Sequence, residues 1–122
     1  MLEKAGPVAI VLIFCALIAP AASPVQISYV TSDSMEPTIG TDDGYILVPA
    51  GAVTPGEIIT YYSDARDGYV THRVVGTTTK GYVTQGDNNP STDQTTGTPP
   101  VRRDSISGQV LSISGSVVAI PQ

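Results

Sequence analysis

Tyr69-Val70-Thr71-His72-Arg73-Val74-Val75 decides the fold class. β-branched and aromatic residues fill this stretch, and an extended chain alternates its side chains with period two. Val70, His72 and Val74 then point one way, and Tyr69, Thr71, Arg73 and Val75 point the other. Neighbouring stretches read alike. Gly44-Tyr45-Ile46-Leu47-Val48-Pro49 is a short strand stopped by Pro49. Glu57-Ile58-Ile59-Thr60-Tyr61-Tyr62 is another, entered through the turn Thr54-Pro55-Gly56-Glu57. Asp67-Gly68 marks a reversal, Gly81-Tyr82-Val83-Thr84-Gln85 is a further strand, and Ser107 to Ile120 returns to a Val/Leu/Ile pattern. No helical or heptad period is visible between residues 40 and 120, so the expectation is a small, mostly β domain. Residues 86–100, dense in Asn, Asp, Thr and Pro, are too long for a hairpin turn and read as a functional loop.

Composition sets the outer limits. The chain has 122 residues, enough for one modest core in a domain of about 90 residues once an N-terminal segment is set aside. With 12 glycines and 10 prolines and only 14% charged residues, it favours turns and short strands over long helices. A net charge of −5 leaves no basic stripe to grip nucleic acid. Lysine is confined to Lys4 and Lys80 while Asp and Thr are plentiful, a composition that suits a high-salt organism. Cys15 stands alone, so no disulfide framework exists within the chain. A single His and no Cys/His cluster argue against zinc, and no metal or organic cofactor is expected.

From Ala5 to Ser32 there is no charged residue, and Val8 to Ile18 is almost wholly aliphatic. Such a run is long enough to cross a hydrocarbon core, which needs about 20 residues. Residues 1–26 are therefore expected to be a membrane-anchoring transmembrane helix, followed by a β-rich domain over 27–122. Lys4 and the free amine favour a cytoplasmic N-terminus. A cleavable secretory signal ending at Ala19-Pro20-Ala21-Ala22-Ser23 is the competing reading. Either way the domain is delivered outside the cytoplasm. The chain ends on the still apolar Val117-Val118-Ala119-Ile120-Pro121-Gln122, which leaves room for the expectation of a second membrane span beyond it.

Just past the apolar run lies Thr31-Ser32-Asp33-Ser34-Met35-Glu36-Pro37-Thr38. A serine hydroxyl becomes a nucleophile when a neighbouring base takes its proton, and imidazole titrates near neutral pH. His72 is the one histidine. A carboxylate must then hold the imidazole tautomer, and Asp87 and Asp93 in the polar loop compete for that role. Asp42, Asp43, Asp64 and Asp67 read as solvated turn residues. A Ser/Lys mechanism is disfavoured, because the only domain lysine, Lys80, sits in a Lys-Gly turn.

Ser32-Asp33-Ser34-Met35-Glu36-Pro37, Thr71-His72-Arg73-Val74-Val75 and Gln85-Gly86-Asp87-Asn88-Asn89-Pro90-Ser91-Thr92-Asp93, in that order, resemble the type I signal peptidases of the archaeal and endoplasmic-reticulum branch. Pro55-Gly56-Glu57-Ile58-Ile59 is similar to a fourth strand motif of that family, with Glu in place of its Asp. The resemblance implies Ser34 as nucleophile, His72 as general base and Asp93 as the third member, with Asp87 important beside it. It implies the Ser34 backbone N–H and the Ser32 hydroxyl as oxyanion donors. Met35 is placed with the substrate-binding residues, packing locally or facing lipid. Asp33 departs from the family's usual Gly and is expected to point outward. The implied activity is a membrane-bound serine endopeptidase that removes signal peptides from exported preproteins, cutting after small residues. Its expected partners are those signal peptides, the lipid membrane and further subunits of unknown kind. The rival class is a membrane-anchored β domain that binds without cutting, and a self-processing or regulatory serine protease is a third.

Overall fold

The strands arise where β-branched and aromatic residues cluster, and their order places the polar loop against three paired strands at one side of the sheet. The computed structural model describes residues 25–113 and 116–120. Strands β1 (Gln26–Tyr29), β2 (Gly44–Val48), β3 (Ile58–Ser63), β4 (Gly68–Thr78), β5 (Gly81–Gln85) and β6 (Ile106–Val110) form one antiparallel sheet in the order β1-β2-β6-β3-β4-β5. The C-terminal apolar stretch, expected as one strand-like run, breaks after β6 into β7 (Ser112–Ile113), β8 (Ser116–Val117) and β9 (Ala119–Ile120). β7 and β8 pair with each other, while β9 returns to pair with β2. Among the described residues there is no α-helix, so a mostly β fold stands. The expected helix over residues 1–26 falls almost entirely outside the described residues. Among those described, no helix is long and apolar enough to cross a membrane.

Successive residues of a strand face opposite sides of its sheet, and here both sides are covered. On β3, Ile58 joins a cluster with Val30, Met35, Ile39, Leu47 and Val110. Its neighbour Ile59 joins Tyr61, Val70, Val74 and Val101 in a second cluster. That two-sided burial explains why Ile58-Ile59-Thr60-Tyr61 lacks the alternation of a one-sided strand. β4 keeps its alternation: Val70, His72 and Val74 are buried, while Tyr69 and Val75 are exposed. The pattern fails only past Val74, where the register against β5 shifts and a bulge re-aims the strand.

β2 and β6 approach closely because residue 108 has no side chain. A Cβ at Gly108 would stand 2.7 Å from Leu47 Cγ and 2.8 Å from the Val48 carbonyl. Gly108→Ala should therefore destabilise the domain by about 1–3 kcal/mol through overpacking. Urea denaturation checks this, and an unchanged midpoint would contradict the close packing of β2 on β6.

Candidate active site

The site begins as a row on one face of three paired strands. His72 on β4 lies opposite Ile59 of β3, with Tyr61 opposite Val70 and Thr84 of β5 opposite Val74. Period two puts His72, Tyr61 and Thr84 on the same side, so their polar atoms converge between strands. Into that space a single turn of 3-10 helix, Asp93–Thr96, delivers its first residue. Thr92 caps the turn by accepting from the Thr95 N–H.

Asp93 is 1% exposed and His72 2% exposed. Asp93 Oδ2 accepts from His72 Nδ1 at 2.7 Å, Thr84 Oγ1 at 2.7 Å and Tyr61 Oη at 2.8 Å. Oδ1 lies 2.9 Å from the same imidazole nitrogen and 3.5 Å from Arg66 Nη2. Burial pushes the Asp93 carboxyl up, but the hydrogen bonds from His72 and Thr84, with help from Tyr61, outweigh it and hold the group below its ordinary value. Burial also pushes the Tyr61 hydroxyl far up, so it stays protonated and donates. The network fixes the tautomer: Nδ1 carries the proton toward the carboxylate, leaving Nε2 as acceptor.

Nε2 lies 3.0 Å from Ser34 Oγ. Ser34 sits in the turn that follows β1, with buried Val30 before it and buried Met35 and Ile39 after it. The polar loop clamps this turn: the Asn88 N–H donates to the Ser34 carbonyl at 2.8 Å, and Asn88 Nδ2 donates to the Asp33 carbonyl at 3.1 Å. Gly86 makes the approach possible, since a Cβ there would stand 2.7 Å from the Ser34 carbonyl and 3.0 Å from His72 Nε2. The Ser32 hydroxyl is 3.2 Å from Ser34 Oγ, and the Ser34 N–H makes only a long 3.5 Å contact to Ser32 Oγ. Ser34 and His72 open on a groove of about 200 Å³ between Tyr29–Ser32 and Gly68–His72, with Arg66 in its wall.

The sequence candidates thus separate. Ser34, His72, Asp93 and Ser32 come together. Asp87 does not join their hydrogen-bond chain. It accepts from Arg73 Nε at 2.8 Å and Nη2 at 2.7 Å, and from the Thr38 hydroxyl. Arg73 holds its carboxyl below the ordinary value, assisted by Thr38 and working against burial. Asp87 is a tie between β4 and the Ser34 turn. Met35, placed beside the substrate from the sequence, has its side chain in the core at 1% exposure, where its sulfur accepts from the Asp87 N–H at 3.4 Å. Packing the turn onto the sheet directs that apolar side chain inward, and Met35 is not among the groove's lining residues. Asp33 is exposed and is not among the groove's lining residues. Sequence reasoning missed Tyr61, Thr84 and Arg66. The available signal was a Tyr and a Thr at core-facing positions of strands 57–62 and 81–85, which need partners when buried. Among the described residues no cluster of three or more His, Cys, Asp or Glu could hold a metal ion. No family model matches the chain, and no curated protein matches it.

With both carboxyls held below their ordinary values, each contributes stability fully above the unfolded aspartate value of about 3.9. That contribution is lost as pH falls through the lower folded values. The urea midpoint should therefore drop between neutral pH and acid, and Asp87→Asn should show a smaller drop than the parent chain. Equal drops would mean that the Asp87–Arg73 pair adds nothing to stability.

Proposed function

We propose that this chain is a membrane-anchored serine endopeptidase of the signal-peptidase type, acting outside the cytoplasm on exported preproteins. One observation carries the reading: an unbroken hydrogen-bonded chain, Ser34 Oγ to His72 Nε2 and His72 Nδ1 to Asp93, whose Ser34 end opens on a groove. The order of the motifs behind an uncharged N-terminal run supports the substrate class.

In this mechanism Ser34 Oγ attacks the carbonyl carbon of the scissile bond while its proton passes to His72 Nε2. Asp93 stabilises the imidazolium and keeps the ring in plane. The carbonyl oxygen, now negative, takes the Ser34 N–H and the Ser32 hydroxyl, both weakly engaged in the free enzyme. Collapse expels the amine, which takes the proton from Nε2 and leaves an acyl group on Ser34. Water, deprotonated by His72, then releases the signal peptide. An extended substrate fits a groove bordered by strand backbone at Gly68–Thr71.

The test is processing of a membrane-inserted preprotein by the full chain in liposomes, at low and at molar salt. Cleavage that disappears with Ser34→Ala supports the proposal, whereas no cleavage by folded protein under either condition overturns it. Asp93→Asn should lower kcat by about 10⁴, because the tautomer is lost. Asp87→Asn should lower it by at most about 100-fold, through displacement of the Ser34 turn. The reverse ranking would make Asp87 the third member. Gly86→Ala should reduce kcat more than it raises KM, since the added methyl meets the Ser34 carbonyl and His72 rather than the groove.

A further inference from the structure

Two guanidinium groups stand beside the site's aspartates, and they are employed differently. Arg73 is tied at all three nitrogens: Nε and Nη2 donate to Asp87 at 2.8 and 2.7 Å, and Nη1 donates to the Gly56 carbonyl at 2.6 Å. Arg66 is not. Among the described residues its side chain makes one ion pair, a 3.5 Å contact from Nη2 to Asp93 Oδ1, and it is 42% exposed. That contact is at the long limit of a hydrogen bond and is easily given up. Asp93 would not be left short, because His72, Thr84 and Tyr61 already donate to it at 2.7, 2.7 and 2.8 Å. Asp64 and Asp67 flank Arg66 in the β3–β4 turn, yet neither pairs with it among the described residues, and Asp67 accepts instead from Tyr62 Oη at 3.2 Å. A guanidinium carries five N–H donors, so most of those on Arg66 are left for the groove.

The groove that Ser34 and His72 open on has Arg66 in its wall and no Asp or Glu among its lining residues, so Arg66 is the one permanently charged side chain there. The contacts leading from Nη2 through Asp93 and His72 to Ser34 Oγ measure 3.5, 2.9 and 3.0 Å. The guanidinium therefore lies within about 12 Å of the nucleophile, the span of about four residues of extended chain. A substrate laid along Gly68–Thr71 passes it within that distance of the bond to be cut. We propose that Arg66 is a specificity-determining residue that takes an Asp or Glu side chain of the substrate close to the scissile bond, which rests on the reading of this groove as the substrate's path. The substrate carboxylate exchanges the long Asp93 contact for a bidentate, charge-assisted pair. The preferred substrates are then preproteins that carry an acidic residue within about four residues of the cleavage point.

The test uses the full chain in detergent and peptides with a cleavage site after a small residue, amidated at the C-terminus so that only a side-chain carboxylate is offered. Glu or Gln is placed in turn at each position up to about four residues on either side of the bond. At one position or more, Glu should raise kcat/KM over Gln by about five- to tenfold, chiefly through KM. Arg66→Gln should bring that ratio to unity, and Arg66→Glu should turn the preference toward Lys at the same position. A series in which no position separates Glu from Gln overturns the proposal. So does a ratio that survives Arg66→Gln while kcat falls for both peptides, which would make Arg66 a support of Asp93 instead. If no peptide is cut, binding of the same peptides to the full chain with Ser34→Ala, read by fluorescence anisotropy, separates the two readings. A Glu preference removed by Arg66→Gln keeps the carboxylate site while the endopeptidase reading falls. Equal binding of Glu and Gln peptides overturns the carboxylate site itself.

Discussion

Asp93 carries a carboxylate into the interior at 1% exposure, and a charge so placed is tolerated only where donors surround it. Those donors come from β3, β4 and β5, so the site is complete only when three strands have paired in the correct register. A slip of one residue on β5 would turn Thr84 to the other face and leave the carboxylate short of a partner. Removing one partner of a buried charged pair costs about 3–5 kcal/mol, comparable to much of a small domain's stability. Fold and site are therefore held by one set of hydrogen bonds.

The loop that supplies Asp93 also supplies Asp87, and burial sorts their work. Asp93 leaves the loop as the first residue of a 3-10 turn aimed between strands, where imidazole is its principal partner. Asp87 stays at the rim, meets a partly exposed guanidinium in a bidentate pair, and joins it to Thr38 in the Ser34 turn. One acid addresses the ring and the other addresses the backbone that carries the hydroxyl. Both ends of the Ser34–His72 contact are thereby fixed by the same loop, which accounts for its length.

Legibility in the sequence followed the range of each interaction. β2 to β5 could be read because their hydrophobic patterns and turn residues are local, and the face of His72 came directly from period two. β1 was hidden because Gln26-Ile27-Ser28-Tyr29 adjoins the uncharged run and lacks a bounding turn of its own. The fragments β7, β8 and β9 were hidden because two-residue strands carry no period. The burial of Tyr61 and Thr84 was within reach of the sequence, but their shared partner was not. Their meeting with Asp93 depends on cross-strand register, which side-chain alternation within one strand does not specify. The local packing of Met35 was legible in its apolar side chain, but grouping it with the substrate-binding residues rested on adjacency to Ser34, which says nothing of the opposite directions a turn gives to consecutive side chains.

A buried histidine between two valines is, in most proteins, a core residue whose nitrogens have found partners, and His72 satisfies that description fully. The bonds that make it a satisfied core residue are the same ones that would make it a base. The difference lies in where the hydrogen-bond chain ends. A structural histidine would pass its second bond to another buried group. His72 passes it to Ser34, which is partly exposed, lies beside a second hydroxyl and a loosely bound N–H, and borders a groove. Imidazole suits this position where lysine would not. A neutral imidazole donates from one nitrogen and accepts at the other, whereas an ammonium at 2% exposure would have to lose its proton before it could accept one. The asymmetry between a buried Asp93 and a partly exposed Ser34 gives the chain of hydrogen bonds a direction, and that direction runs toward the groove.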